Sequence, residues 1–270
     1  MSPLVSVIVL NYRSPQAAVR CVLHLLEQSI AGQIEVIVVD NHSQDDSVGV
    51  LRNRLGHLSA VRIVETPRNV GFGGGCNLGA RFARGEFLLI NNPDKLLQRD
   101  GIETLLRRMR EDKRIGIIGP KLLYSDGSVR PSARAFPSPL DVIAKRSFLS
   151  VLLPGRMARY LQNGAEDEPE RRVDWVVGGC FLISKDLFFS LGGFDESFFL
   201  FFEDTDLCRR VIQTGRSVIY YPRVAAADRI ARLSEGGILT LLCTPTGRAH
   251  VRSALHYFAK WGVGVPQMSA

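Results

Sequence analysis

The chain has 270 residues, 46% of them hydrophobic and 23% charged, which suits a soluble globular protein of one large domain or two small ones and excludes a disordered chain. Its formal net charge of +7 suits a polyanionic partner, whether nucleic acid, an anionic membrane face or a phosphorylated small molecule, without choosing among them. The five cysteines (Cys21, Cys76, Cys180, Cys208 and Cys243) are scattered and never spaced as CxxC, which argues against a disulfide framework and a structural zinc site.

The first strand is expected at Val5-Ser6-Val7-Ile8-Val9-Leu10, an almost continuously apolar run of the kind buried on both faces of a parallel sheet. A helix follows from Ser14 to about Gln28, with Pro15 suited to its first turn. The second strand, Ile34 to Val39, ends at Asp40-Asn41. Ser43 and Asp46 have the spacing of a capping box for a helix running to about Leu55. Val61–Glu65 is a third strand. The glycine-rich segment Asn69–Gly79 opens a helical stretch to about Ala83. A fourth strand, Glu86–Ile90, ends at Asn91-Asn92-Pro93-Asp94. A helix over Asp100–Arg110 and a strand at Ile115–Ile118 complete an alternation that predicts an α/β fold with a mostly parallel central sheet flanked by helices.

Beyond Pro120 the rhythm changes. Tyr124–Pro139 is turn-rich and basic, Asp141–Leu161 is helical with a break at Pro154-Gly155, and Asn163–Arg172 is a charged loop. A strand-like run over Asp174–Ser184 contains Gly178-Gly179 and leads into a helix to about Leu191. Asp204–Thr214 reads as a helix stopped by Gly215, Val218–Pro222 as a strand, and Thr246–Trp261 as a final helix ended by Gly262. No run reaches the roughly 18 apolar residues needed to span a bilayer. The longest candidates, Ser147–Leu153 and Gly237–Cys243, are too short. With a strand starting at once and no signal peptide visible, a reducing cytoplasm is the expected compartment.

Ligands of open parallel sheets bind beyond the carboxyl ends of the strands. Here three strands end in polar side chains: Asn11, Asp40-Asn41 and Asn92-Pro93-Asp94. Each suits a turn by itself, but all three on one edge point to a site. The segment Asn69-Val70-Gly71-Phe72-Gly73-Gly74-Gly75-Cys76-Asn77 would let backbone approach a phosphate or sugar at a helix N-terminus, or would serve as a loop with tight turns. It is no dinucleotide fingerprint, because Cys76 and Leu78 occupy the third glycine positions, and no P-loop sequence occurs. Asp94 suits a divalent cation bridging a diphosphate or, equally, an Asn-Pro-Asp turn. In Gly192 to Asp206, an aromatic run leads into Glu203-Asp204-Thr205-Asp206. Apolar surroundings raise a carboxyl pKa and suit a general base, while acidic residues also favour a helix start and Asp206 can pair with Arg210 at i+4. The five histidines show no metal-ligand spacing.

Taken together these stretches resemble the inverting family-2 glycosyltransferases of the GT-A fold, in particular the bacterial rhamnosyltransferase-like branch that builds surface polysaccharides and lipopolysaccharide. The resemblance is carried by Val5–Tyr12, Val38–Ser43, Arg68–Gly73, Leu89–Asp94, Asp174–Gly179 and Gly192–Asp206, in that order, over roughly Val5 to Pro222. It implies one continuous domain, with residues 1–120 as the nucleotide-sugar-binding half and 121–270 as the half that binds acceptor and carries the base. Asn11, Asp40, Asn41 and Asn69 would line the nucleotide site, with Tyr12, Gly73, Asn77, Asn92, Lys95 and Trp175 also in contact with substrate. Gly178 and Gly179 would lie beside the sugar and acceptor. Asp94 matches the family's metal position for Mg2+ or Mn2+. Asp204 matches the base, supported by Glu203 and Asp206.

The chain departs from the family in two places. The metal motif is reduced to Asn92-Pro93-Asp94 with Lys95 next, so that metal is weakly held or replaced in part by Lys95. The strand ending at Pro222 is followed by no histidine, leaving Asp228, Arg229 or Arg232 to substitute. The expected activity is transfer of rhamnose or another deoxyhexose or hexose from a dTDP- or UDP-sugar to a hydroxyl of a surface-glycan or lipid-linked acceptor. Peripheral contact with the inner membrane face would run through Arg130–Arg134, Lys145, Arg146, Arg156 and Arg159, which suit plain solvation as well. The departures motivate an alternative, a catalytically impaired nucleotide-sugar-binding subunit of a glycan assembly complex. The acidic cluster argues against nucleic acid as the partner.

Overall fold

The structure, a computed structural model, describes residues 2–145, 149–162, 170–228 and 244–263. Four strands form the N-terminal part of the sheet: β1 (Val5–Asn11), β2 (Ile34–Asp40), β3 (Val61–Glu65) and β4 (Phe87–Asn91). They lie in the order β3-β2-β1-β4 and all pair in parallel. Parallel neighbours require crossover helices, and α1 (Pro15–Leu25), α2 (Ser47–Leu55) and α3 (Gly71–Arg81) supply them.

Both faces of this sheet are covered, which is why its strands are apolar without alternation. Val5, Val7 and Val9 of β1 pack with α1 through Ala18, Val22 and Leu25 and with Leu51 and Leu55 of α2. Ile8 of β1, with Ile37 and Val39 of β2, packs on the opposite face against Cys76 and Ala80 of α3. Each such fully buried aliphatic side chain contributes about 1.5–3 kcal/mol relative to exposure.

After β4 come the short β5 (Lys95–Leu97), α4 (Gly101–Glu111), β6 (Ile115–Leu123), and the two-residue strands β7 (Val129–Arg130) and β8 (Ala133–Arg134). The helical stretch beyond Ser138 is three short pieces: α5 (Pro139–Lys145), α6 (Leu149–Leu152) and α7 (Pro154–Leu161). β9 (Arg171–Val173), β10 (Trp175–Val176), β11 (Cys180–Ser184), α8 (Lys185–Ser190), α9 (Glu203–Gln213), β12 (Ser217–Asp228) and α10 (Pro245–Trp261) complete the chain. β11 inserts antiparallel between β4 and β6, and β12 runs parallel to β6 and antiparallel to β5. The sheet is thus mixed, parallel in its N-terminal half and continuous across both halves of the chain.

Several boundaries differ from the expectations. β6 and β12 run on to Leu123 and Asp228 because the two pair along their whole length, across a register break between Tyr221 and Ala225. The run from Asp174 to Ser184 breaks into β10 and β11 at Gly178-Gly179. The capping box does not form. Ser43 bonds Asp40 instead, and α2 starts after Asp46 with no side-chain cap. A separate small core joins Phe198 and Phe202 to Ala254 and Tyr257 of α10.

Candidate active site

The parallel register aligns Asn11 with Asp40, and β4 ends on the same side at Asn91. Asp40 is buried, and its Oδ1 accepts from Asn11 Nδ2 at 2.7 Å and from Ser43 Oγ at 2.6 Å. Its Oδ2 accepts from the Ser43 N–H at 3.0 Å. Asn41 is equally buried. Its Nδ2 donates to Asn69 Oδ1 and the Gly71 carbonyl, both at 3.0 Å, and its Oδ1 accepts from the Val70 N–H at 3.0 Å. Asn11, Asp40, Asn41 and Asn69 therefore come together, as expected, but as a hydrogen-bonded frame that joins the strand ends to the start of α3. Outside it stand the exposed Tyr12 ring and Arg13, whose guanidinium lies 5.3 Å from the ring centroid. Arg13, His42 and Gln44 all have positive φ (53°, 59° and 55°), a backbone cost that concentrates along this edge.

The glycine-rich segment is a helix packed closely on its surroundings rather than an open phosphate loop. A β-carbon on Gly79 would stand 2.7 Å from Ile8 Cγ2, one on Gly75 2.3 Å from Leu10 Cδ1, and one on Gly73 2.9 Å from Phe194 Cβ. The glycines bring α3 against the sheet and against the loop before α9. Asn77 latches that loop: its Nδ2 donates to the Phe194 carbonyl at 2.9 Å and its Oδ1 accepts from the Phe194 N–H at 2.8 Å. The side chain of Asn77 and the bare face of Gly73 thus both meet the loop at Phe194.

Past β4, the Asn92 N–H donates to the Gly179 carbonyl at 2.8 Å, and Lys95 Nζ lies 2.6 Å from Asp94 Oδ2. The Lys95 side chain is 3% exposed and that of Asp94 20%. Burial pushes the Lys95 pKa below the ordinary lysine value, and the Asp94 carboxylate opposes that shift. Arg130 is close enough for its charge to act in the same direction as burial. Gly179 leaves room for this group: a β-carbon there would meet Lys95 Cε at 3.0 Å.

On the other side of the glycine pair stands the acidic cluster. The Gly178 N–H donates to Asp204 Oδ2 at 2.8 Å. The Thr205 N–H and hydroxyl donate to Asp204 Oδ1 at 2.7 and 3.2 Å. Asp204 is half-buried, whereas Glu203 is buried and its Oε2 has no hydrogen-bond partner among the described residues. Burial raises the pKa of both carboxyls, and for Glu203 the neighbouring Asp204 adds to the rise. For Asp204 the three hydrogen bonds and the charge of Arg134 oppose it. Burial of two adjacent carboxyls disfavours charge on both at once. The hydrogen bonds favour the charge on Asp204, and the unbonded Glu203 favours the proton. Phe201 and Phe202, immediately before α9, both have positive φ (69° and 68°), so this helix start is reached through strained backbone.

Asp206 faces away from this pair. It is fully buried, with Oδ2 2.8 Å from Arg210 Nε and Oδ1 accepting from Trp261 Nε1 and Lys260 Nζ, both at 2.8 Å. The expected i+4 pair with Arg210 forms, and through Trp261 and Lys260 this carboxylate ties α10 to α9. Trp175 is likewise buried, with Nε1 donating to the Ala135 carbonyl at 2.8 Å, so its ring is a packing element. The basic stretch is not one exposed face. Arg134 is buried against the rings of Tyr160 and Trp175, and Arg156 pairs with Asp141 at 2.7 Å. Arg146, Arg229 and Arg232 lie outside the described residues, as does the side chain of Asp228. Sequence reasoning missed Arg134 as a neighbour of Asp204, since nothing in Ala133-Arg134-Ala135 marks an arginine about to be buried.

The residues at Asp94 do not fit a divalent cation well. Such an ion takes several oxygen ligands, and Asp94 offers one carboxylate already bonded to an ammonium. Among the described residues no group of three His, Cys, Asp or Glu side chains is placed to hold a metal. No helix among them is long and apolar enough to cross a membrane.

The model of the glycosyl transferase family 2 matches residues 6–189. The chain is 30% identical over 235 residues to an N-acetylglucosaminyl-diphospho-decaprenol L-rhamnosyltransferase of Mycobacterium tuberculosis, covering 82% of this chain and 75% of that one. It is 27% identical over 209 residues to the low-salt glycan biosynthesis hexosyltransferase Agl10 of Haloferax volcanii, covering 76% and 60%. Two solved structures share the fold. The mannosyltransferase PcManGT of Pyrobaculum calidifontis, in complex with GDP-Man and Mn2+, superposes with a TM-score of 0.62 at 20% identity over 87% of this chain and 59% of its own. GalNAc-T7 with UDP, GalNAc and Mn2+ superposes with a TM-score of 0.67 at 15% identity, over 99% and 53%.

Proposed function

This chain belongs to glycosyl transferase family 2 and is a glycosyltransferase of GT-A type fold, and we propose that it moves a sugar from a nucleoside diphosphate sugar to a hydroxyl of a surface-glycan or lipid-linked acceptor, inverting the anomeric centre. The observation that carries the reading is Asp204: a half-buried carboxylate, oriented by Gly178 and Thr205, beside a buried Glu203 whose Oε2 has no partner among the described residues. The relatives' rhamnosyl and hexosyl transfer supports a deoxyhexose or hexose donor, carried on dTDP or UDP.

In this reading the strand-end frame around Asn11, Asp40, Asn41 and Asn69 shapes the nucleotide pocket, with the exposed Tyr12 ring available to the base. The half of the chain after residue 120 presents the acceptor. Asp204 takes the proton from the acceptor hydroxyl as its oxygen attacks the anomeric carbon. The bond from that carbon to the diphosphate oxygen breaks on the opposite face, and the nucleoside diphosphate leaves with the electron pair. One displacement suffices, so no second carboxylate is needed as a nucleophile. Its half-exposure lets Asp204 meet the acceptor, and the buried Glu203 keeps the pair from carrying two charges. Both solved neighbours hold Mn2+. Asp94 is the carboxylate such an ion would meet here, and the ion would first displace Lys95.

The test is transfer, or donor hydrolysis, with a panel of dTDP- and UDP-sugars for wild type and Asp204→Asn. Turnover lost in the variant supports the reading. Turnover unharmed by the substitution removes Asp204 as the base. Nucleotide binding with no turnover from any donor would favour the impaired binding subunit.

A further inference from the structure

We propose that Lys95 is the built-in cation that meets the donor diphosphate, so that nucleotide binding by this chain does not require a divalent ion. The inference rests on the proposed use of a nucleoside diphosphate sugar and goes beyond it, to what neutralises the leaving group.

Three observations converge. First, Lys95 holds an ammonium at 3% exposure, bonded to Asp94 at 2.6 Å. A buried ion pair is a poor source of stability, because desolvation offsets the attraction, so its presence at a strand end calls for another role. Second, its placement is shared with the base. Lys95 Cε packs where a β-carbon on Gly179 would stand, at 3.0 Å, and the adjoining Gly178 holds Asp204 at 2.8 Å. Ammonium and base thus flank one glycine pair, a suitable separation of duties for a diphosphate that departs from one side of a sugar while the acceptor is deprotonated on the other. Third, the charges are of the wrong sign for a metal. A divalent ion approaching Asp94 meets the Lys95 ammonium at bonding distance from that carboxylate, the one carboxylate placed there among the described side chains. A diphosphate approaching the same place is attracted by the Lys95 ammonium. A lysine ammonium has three N–H donors, so bonding Asp94 and a phosphate oxygen together is within its capacity.

The experiment is calorimetric titration of the full chain with UDP, dTDP and GDP, in EDTA and again with Mn2+ or Mg2+. The expected result is that the nucleotide that binds does so with a Kd within about twofold in EDTA and in metal. Lys95→Ala should weaken binding in EDTA by about tenfold or more, as expected for loss of a charged hydrogen bond, and Lys95→Arg should retain most of it. In Lys95→Ala the unmasked Asp94 should make the remaining binding sensitive to Mn2+. Wild-type binding that is lost in EDTA and restored by Mn2+ would overturn the inference and leave the glycosyltransferase reading standing, and this arm needs no folded variant. Nucleotide affinity unchanged in a folded Lys95→Ala would overturn it too. Failure of all three nucleotides to bind under every condition would count against the donor class itself, and the inference would fall with it.

Discussion

Gly178 and Asp204 are in contact twice: the Gly178 N–H donates to Asp204 Oδ2 at 2.8 Å, and a β-carbon on Gly178 would stand 2.8 Å from Asp204 Cβ. The glycine is required by the carboxylate it orients, since any side chain there would push Asp204 aside. Gly178→Ala should therefore lower transfer by about 10–100-fold through displacement of the base, a loss typical of misplacement by about an ångström. A lowered kcat in a variant that keeps its nucleotide Kd is the expected pattern. A Gly178→Ala enzyme of wild-type kcat would show that Asp204 needs no such placement.

The Glu203–Asp204 pair makes a prediction about pH. With its pKa raised by burial, Asp204 becomes ionised only above the ordinary carboxylate range, so kcat/KM should fall as pH is lowered through a raised value. Asp204→Asn should lose about 10²–10⁴-fold in rate. Glu203→Gln, which mimics the protonated acid, should keep activity within a few fold and leave the acidic limb nearly in place. A large loss in Glu203→Gln would assign the charge to Glu203 instead.

Glu203 also bears on stability. Its folded pKa lies above the unfolded value, so its favourable contribution is complete below the unfolded pKa and is lost as pH rises through the folded pKa. Glu203→Gln should flatten the fall of Tm from acidic to alkaline pH. A Tm–pH curve identical to wild type would mean that Glu203 is not held neutral.

Asp206 predicts the opposite split between stability and chemistry. Asp206→Ala strands Arg210 and removes the bonds to Trp261 and Lys260, and loss of one partner of a buried pair costs about 3–5 kcal/mol. Denaturant unfolding should register this, with α10 loosened from α9. Wild-type stability in Asp206→Ala would remove the clamp.

Gly79→Ala tests the packing of α3. Its β-carbon would stand 2.7 Å from Ile8 Cγ2 and 2.9 Å from Val39 Cγ2, inside a sheet face that has no slack. A cost of about 1–3 kcal/mol is expected from overpacking, although alanine is the better helix former at an unconstrained site. Stabilisation by the substitution would show that α3 can move off the sheet.

Much of the fold was legible in the residues. The runs at Val5, Ile34 and Phe87 are apolar without alternation because they are covered on both faces, and that pattern alone places them in a parallel sheet. Their polar ends at Asn11, Asp40 and Asn92 were readable as one edge for the same reason. The long pairing of β6 with β12 was not legible, since their extensions beyond Ile118 and Pro222 form through partners distant in the chain. The glycines of α3 were readable as a special segment, but not as packing glycines, because what they pack against is Ile8, Leu10 and Phe194.

By itself the sequence determined the strand order along the chain, the family, and a short stretch, Glu203 to Asp206, in which a base would lie. Local pattern carries that much because hydrophobic period and turn chemistry act over a few residues. The division of labour within the stretch was decided only by the tertiary structure. Gly178 selects Asp204, burial leaves Glu203 Oε2 without a partner among the described residues, and Trp261 and Lys260 claim Asp206. Three carboxyls within four residues look alike in a sequence. Their charge and reach depend on desolvation and on donors that arrive from 26 to 55 residues away, and those exist only once the chain is folded.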